Sequence, residues 1–436
     1  MDHATPARFL GAHEATAATP ALPADPLLIL PPRGRSASQL HRQLPPPRTG
    51  MVFSVIIPAK NEATRLPAAL AALAAQVDLR GQPLPPHSFE VIVLANNCTD
   101  ATTDAVRRQA RRFPNLALHV AELHLPPAKA HVGCARRLLM DEAAARLART
   151  AGLTGIIAST DADSCVASTW LAAIQAEIAA GADAVGGRIL TLGGRAERLP
   201  LQRIQMRDTA YRLLCARLEH LLDPAPADPW PRHHQHFGAS LALTVRAYRQ
   251  AGGLPEVRFL EDEALCQAMR RHDLQLRHSP EVLVTTSARR QGRVEVGLSW
   301  QLREWQHMSR QQREPQVENP VQLAALWLAR RQLRAYRASH PTRPNQELAV
   351  QLGLPAAELL DQVQQTATFG VLWEWALATG CHTAVGQQPL TLALRELPRL
   401  IRHYQKFDLM ASSGACGATA TVFPVSRAGT VPAAAR

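Results

Sequence analysis

Three β-branched apolar runs, each ending abruptly in polar residues, set the strongest limit on how this 436-residue chain can fold. They are SVIIP at Ser54–Pro58, VIVLANN at Val91–Asn97 and IIASTDADS at Ile156–Ser164. An unbroken run of this kind reads as a strand buried on both faces, which belongs in a parallel sheet covered by helices. The intervening sequence agrees. Ala/Leu-rich or capped stretches predict helices over Glu62–Gln76, Thr99–Arg112, Ala135–Arg149 and Ser168–Ala179, with further strands at Leu116–Glu122 and Ala184–Leu192. The expected fold class is therefore α/β: a Rossmann-like, mostly parallel sheet flanked by helices. Such sheets bind their ligands beyond the carboxyl ends of the strands, where these runs turn polar.

Composition bounds the rest. No segment approaches an uninterrupted apolar run of about 18 residues, so no transmembrane helix is expected. The seven cysteines show no CxxC pairing, and a reduced, cytoplasmic protein is the expectation. A formal charge of +12, carried mainly by arginine, favours diphosphates, acidic acceptors or peripheral contact with an anionic membrane. Residues 1–50 are rich in Pro, Ala and Arg and read as a disordered leader; Met51 stands directly before the first strand.

The chemistry-bearing strings fall in a fixed order. P-x-x-N-E follows the first strand (Pro58, Asn61, Glu62), and a polar pair with C-T-D follows the second (Asn96, Asn97, Cys98, Thr99, Asp100). A D-x-D follows the next (Asp161, Asp163), and FLEDEALCQAMRR at Phe259–Arg271 supplies an acid pair opening a helix, after the turn Gly252-Gly253-Leu254-Pro255. From about Met51 to Trp305 the chain resembles the GT-A glycosyltransferases, and specifically glycosyltransferase family 2.

The resemblance implies a nucleotide-sugar donor, an acceptor hydroxyl of unidentified nature, and Mg²⁺ or Mn²⁺ as cofactor. It implies that Asp161 and Asp163 serve metal and ribose, Asp163 being the direct ligand, with His236 of the string HHQHFGAS as a further metal ligand. Pro58, Ala59, Glu62, Asn96 and Asn97 become donor-site candidates. Lys60 replaces the family's usual aromatic, and the Asn pair replaces its usual acids, so base identity stays open. Lys129 and Arg136 lie where relatives contact the diphosphate. Asp262 takes the role of general base, with Glu261 beside it, in an inverting displacement. Arg289, Arg290 and Arg293 are suited to diphosphate or an acidic acceptor.

Two alternatives remain open at this level. One is a retaining GT-A transferase whose arginines hold a phosphorylated or acidic acceptor; the other is a catalytically silent GT-A-like binding or regulatory protein. Gln301-Leu302-Arg303-Glu304-Trp305 only partly matches the Q-x-x-R-W signature of processive synthases, and processive synthesis is not expected. The domain reading is a leader over 1–50, a GT-A domain over 51–310, a helical C-terminal extension over 311–407 and a flexible tail over 408–436. In the extension, Trp327, Leu328, Leu333, Trp373, Trp375 and Leu377 are expected core positions. Pro344–Leu359 resembles a helix-turn-helix, with Arg330, Arg331, Arg334 and Arg337 nearby, although nucleic acid is not the expected partner.

Overall fold

A computed structural model of the protein describes residues 35–191, 199–287, 297–381 and 384–412. Its centre is an eight-stranded sheet built from β1 (Phe53–Ala59), β2 (Phe89–Asn96), β3 (Ala117–Leu123), β4 (Ile156–Ser159), β5 (Ser164–Val166), β6 (Ala184–Thr191), β7 (Leu241–Thr244) and β8 (Leu276–Thr286). The spatial order is β3-β2-β1-β4-β7-β6-β8-β5. The block β3-β2-β1-β4, which carries the first three motifs, is parallel throughout. Beyond it β7 runs antiparallel to both neighbours, β6 and β8 pair in parallel, and β5 closes the edge antiparallel to β8.

The apolar runs behave as expected of doubly buried strands. Along β1, Ile56 faces one core with Ile92, Leu94 and Leu139; Val55 and Ile57 face the other with Val91, Val93 and Leu70. The first core is covered by α4 (Val132–Thr150) and the second by α2 (Leu66–Ala74) and α5 (Trp170–Ala179). Trp170 is fully buried and its indole N–H donates to Ser240 Oγ at 3.0 Å, so its polar edge is satisfied inside the core. Arg146 of α4 and Glu90 of β2 form a buried two-pronged ion pair at 2.8 and 2.6 Å. That geometry meets the desolvation cost of both charges and fixes α4 on the sheet.

Several expectations need correction. The leader is not structureless over its last third: α1 (Arg35–Arg42) is a helix whose Leu40 is buried, as is Leu44 beyond it, in the core under α4, and His41 bonds Glu142 at 2.9 Å. Residues 1–34 lie outside the described residues. The helix expected from Glu62 starts only at Leu66. The backbone N–H groups of Glu62 and Ala63 are taken by Thr102 Oγ1 (2.8 Å) and Asp100 (3.1 Å) from the neighbouring loop, so this turn is bound sideways instead of winding into helix.

The C-terminal region is helical, as expected: α10 (Pro320–Ala338), α11 (Gln346–Leu352), α12 (Ala356–Gln365), α13 (Phe369–Thr379) and α14 (Leu390–Ser412). α10 and α14 share a core with α6 (Leu199–Leu222) around Tyr211, Leu218, Leu397 and Leu400, while α11, α12 and α13 pack around Leu333, Leu352 and Leu359. Leu333 is buried and Trp327, Leu328, Trp373 and Trp375 are partly so, but Leu377 is exposed. The helix-turn-helix shape exists, with Gly353 in the left-handed region between α11 and α12. Its neighbouring arginines nevertheless make contacts within the chain, although Arg331 and Arg334 stay exposed. Arg330 pairs with Glu219 (2.7 Å) and Asp223 (2.5 Å), Arg334 pairs with Asp223, Arg331 reaches the Leu222 carbonyl, and Arg337 caps the carbonyls of Thr366, Ala367 and Thr368.

α13 docks on the far end of α8 (Glu261–Arg271), the helix that carries the acid pair. Asp273 accepts from the backbone N–H groups of Phe369 and Gly370, each at 2.7 Å, and Arg271 pairs with Glu374. Gly370 sits so close to the Arg270 carbonyl that a Cβ there would collide with it. The extension is thereby anchored to a helix of the candidate site.

Candidate active site

Three loops meet beyond the carboxyl ends of β1, β2 and β4. Asn61, at φ +55°, uses its side chain to grip Thr99: its Oδ1 accepts from the Thr99 N–H at 2.7 Å and its Nδ2 donates to Thr99 Oγ1 at 3.1 Å. Asp100 binds both Ala63 N–H and Thr102 N–H. The P-x-x-N-E and C-T-D strings thus lock to each other, which holds the main chain of Pro58 and Ala59 at the sheet edge. Glu62 is buried beneath this junction.

Of the Asn pair, Asn96 is buried at the end of β2. Asn97, at φ +51°, spends its amide on the main chain of Leu125, donating to the carbonyl at 2.9 Å and accepting from the N–H at 3.1 Å. The amide is thereby anchored to the scaffold, with one N–H and one oxygen lone pair left beyond these two bonds.

Asp161 and Asp163 occupy the tight link between β4 and β5, where Ser164 N–H returns to the Asp161 carbonyl at 3.1 Å. Asp161 stays about one-third exposed, its side chain at 37 %, so it remains open to a ligand. Lys129 lies exposed in the turn Pro127–Lys129 ahead of α4. Arg136, on the first turns of α4, is by contrast buried, with 4 % of its side chain exposed. Its Nη2 donates to Asp161 Oδ1 at 2.6 Å and its Nη1 to Glu261 Oε1. Burial alone would pull this guanidinium down; Glu261, then Asp161 and Asp262, hold it firmly charged.

The acid pair opens α8. Leu260 precedes it in the left-handed region (φ +56°, ψ +40°), an uncommon conformation for a leucine, which turns the chain sharply into the helix. Burial pushes the Glu261 carboxyl above its ordinary range; Arg136 draws it back and Asp262 adds to the rise. Asp262 is half-buried, with Oδ2 accepting from Gly238 N–H at 2.8 Å and Oδ1 from Glu263 N–H at 2.9 Å. Each carboxylate oxygen keeps lone-pair capacity for a further donor. A Cβ at Gly238 would run into the Arg136 guanidinium, which would have to shift to make room.

His236 does not stand open beside the D-x-D. Its Nε2 meets Glu263 at 2.6 Å and its Nδ1 meets His278 Nε2 at 3.2 Å, while His278 Nδ1 continues to Asp228 at 2.8 Å. Both ring nitrogens are therefore engaged, and among the described residues no group of three or more His, Cys, Asp or Glu side chains is arranged to hold a metal ion. His236 thus belongs to an Asp228–His278–His236–Glu263 chain that is buried except at Glu263, whose side chain is 34 % exposed. Against burial, which would raise it, the His236 contact and Arg270 draw Glu263 down to about 2. This network was not legible beforehand, since Asp228 and His278 lie in loop and strand sequence without motif character. Arg289, Arg290 and Arg293 lie outside the described residues.

Residues 54–223 match the family model described as glycosyl transferase family 2. Among solved structures, the chain is similar to a mannosyltransferase from Pyrobaculum calidifontis in complex with GDP-Man and Mn²⁺, at 18 % identity and TM-score 0.39, covering 86 % of this chain and 90 % of that one. It is also similar to S. aureus TarS 1-349 in complex with UDP-GlcNAc (16 % identity, TM-score 0.40, 82 % and 92 % covered). A third is M. tuberculosis glucosyl-3-phosphoglycerate synthase (17 %, TM-score 0.31, 64 % and 82 %). Comparison with curated proteins gave no match. The match to glycosyl transferase family 2 thus spans residues 54–223, the segment that carries β1 to β6 and the D-x-D.

Proposed function

We propose that the protein transfers a sugar from a nucleotide-sugar donor to an acceptor hydroxyl with inversion, Asp262 acting as general base. The observation that carries this reading is the meeting of the two halves of the site: Asp161 from the end of β4 and Glu261 from the start of α8 lie on one guanidinium, with Asp262 fixed beside them by Gly238. In this reading the donor lies along the β1, β2 and β4 ends, framed by Pro58, Ala59, Glu62 and Asn96. The acceptor approaches the α8 end. Asp262 is held by one backbone N–H on each oxygen, so it is aimed without being neutralised, and a free lone pair takes the hydroxyl proton as that oxygen attacks the anomeric carbon.

Asp163 and Asp161 would hold Mg²⁺ or Mn²⁺. Their all-oxygen chemistry fits a hard cation that takes one or two carboxylates and completes its shell with diphosphate oxygens and water. When bound, the ion supplies charge neutralisation for the leaving diphosphate. Lys129, exposed in its turn, is placed in this proposal as a diphosphate contact, and Arg289, Arg290 and Arg293 as contacts to diphosphate or acceptor. Among the described residues no helix is long and apolar enough to cross a membrane, and six cysteines are free thiols, which suits the cytoplasmic setting included in the proposal.

The test is Asp262→Asn. Donor affinity should stay within about threefold of the parent while transfer falls by about 10² to 10⁴, the usual worth of a general base. Transfer at the parental rate would remove Asp262 from the mechanism, and a retained anomeric configuration in the product would replace inversion by the retaining alternative.

A further inference from the structure

The acid groups at this site come from two separate segments, the β4–β5 link and the start of α8, and one side chain bonds to an acid of each. Arg136 donates to Asp161, donates to Glu261, and abuts Gly238, whose N–H binds Asp262. The two arms differ in exposure. Glu261, with 5 % of its side chain exposed, faces the interior, whereas Asp161, at 37 %, faces the ligand side. A guanidinium suits this task because its planar fork can serve two carboxylates at once, which the single ammonium of lysine cannot do with the same geometry.

We infer that Arg136 is a positioning residue that joins the donor-side carboxylate Asp161 to the acceptor-side acid Glu261, so that a change of charge at one is felt at the other. The words donor-side and acceptor-side rest on the proposed function; the linkage itself rests on the geometry alone. A guanidinium shared between two acids bears only partly on each. Removing the charge of Glu261 turns Arg136 wholly toward Asp161, where it opposes any cation that the carboxylate would otherwise attract. With a cation held at Asp161, Arg136 would bear more on Glu261 and so hold the α8 end more firmly against α4. Binding on the donor side thereby organises the segment that carries Asp262, which favours transfer only after the donor is in place.

The experiment uses Mn²⁺ alone as probe, with free ion followed by electron paramagnetic resonance, on the full chain. Four proteins are compared: the parent, Glu261→Gln, Arg136→Lys, and the Arg136→Lys/Glu261→Gln double variant. Lysine keeps the positive charge, so no buried acid is left uncompensated, but it breaks the two-armed bridge. The linkage predicts that Glu261→Gln weakens Mn²⁺ by about fivefold or more in the Arg136 background, within the usual range of site coupling, and by less than about twofold in the Arg136→Lys background. Equal weakening in both backgrounds would reduce the effect to simple charge proximity and overturn the inference; no weakening in either would do the same. If the parent itself takes up no Mn²⁺, the cation part of the proposed function fails. The linkage is then decided without metal, by thermal unfolding of Asp161→Asn, Glu261→Gln and their combination. Non-additivity present with Arg136 and absent in the Arg136→Lys background supports it, and equal non-additivity in both refutes it.

Discussion

The carboxylate of Asp262 accepts a hydrogen bond from the Gly238 N–H across 2.8 Å, and Gly238 lies directly against the guanidinium of Arg136. The candidate base is thus aimed by a backbone group whose own place is set by a buried arginine. Rigid second contacts of this kind keep a catalytic group in its working geometry.

Gly238→Ala should therefore be costly in spite of its size. The added methyl must displace either the guanidinium or the short helical turn Gly238–Ser240, which costs about 1–3 kcal/mol as overpacking and disturbs both Asp262 and Glu261. The expected result is a loss of transfer of at least about tenfold, larger than the loss in donor affinity; circular dichroism melts and initial rates measure the two effects. Unchanged rates would show that the Gly238 contact does not set the base.

Gly370→Ala tests the anchoring of the C-terminal helices. A Cβ would collide with the Arg270 carbonyl, so α13 must lift from α8 and loosen the Asp273 cap on its N-terminus. A loss of about 1–3 kcal/mol is expected from overpacking alone. Protease susceptibility of the C-terminal region should rise in step. An unaltered melt together with parental resistance to proteolysis would mean that the two units do not depend on this contact.

Acid should destabilise the protein over a defined window. Burial holds His233 and His234 each down at about 3, and lowers His278 as well. The unfolded chain takes up these protons below about pH 6.5 while the folded protein refuses them, so stability falls from about pH 6.5 toward 3, each group contributing a slope of about 1.4 kcal/mol per pH unit within its window. Glu263, at about 2, acts in the same direction: its contribution is present above the ordinary glutamate range and is lost as pH falls toward 2. Urea melts between pH 8 and 4 measure the sum, and constant stability across pH 6.5 to 4 would contradict the buried neutral histidines.

What the sequence made legible follows the physics of each element. β1, β2 and β4 were readable because both faces are buried, which leaves unbroken apolar runs. β8 was not: it carries Pro280 and Glu281 and its burial alternates irregularly, with a register shift opposite Gly187 and Arg188. α1 leaves little apolar pattern because, among the described residues, Leu40 and the following Leu44 are its region's buried apolar side chains. In the site, the carboxylates Asp161, Glu261 and Asp262 were visible as strings, but not the union of Asp161 and Glu261 on Arg136, since residues 25 and 125 positions away in the chain leave no local trace of contact. The contacts of Asn97 and His236 leave no local trace for the same reason. Their partners, the Leu125 main chain and the Glu263–His278 pair, are tertiary.

The most direct test of the central claim is a thermal-shift and calorimetric screen of UDP-, GDP-, dTDP- and ADP-sugars, each with and without Mn²⁺ or Mg²⁺, on the parent and on Asp163→Ala. A ligand at 100 times its Kd stabilises the folded state by about 2.7 kcal/mol, which is readily resolved. The account predicts that one donor class stabilises the parent only in the presence of the cation, and that Asp163→Ala loses this stabilisation. Stabilisation by none of the donors, or stabilisation independent of cation and unchanged in Asp163→Ala, would contradict it.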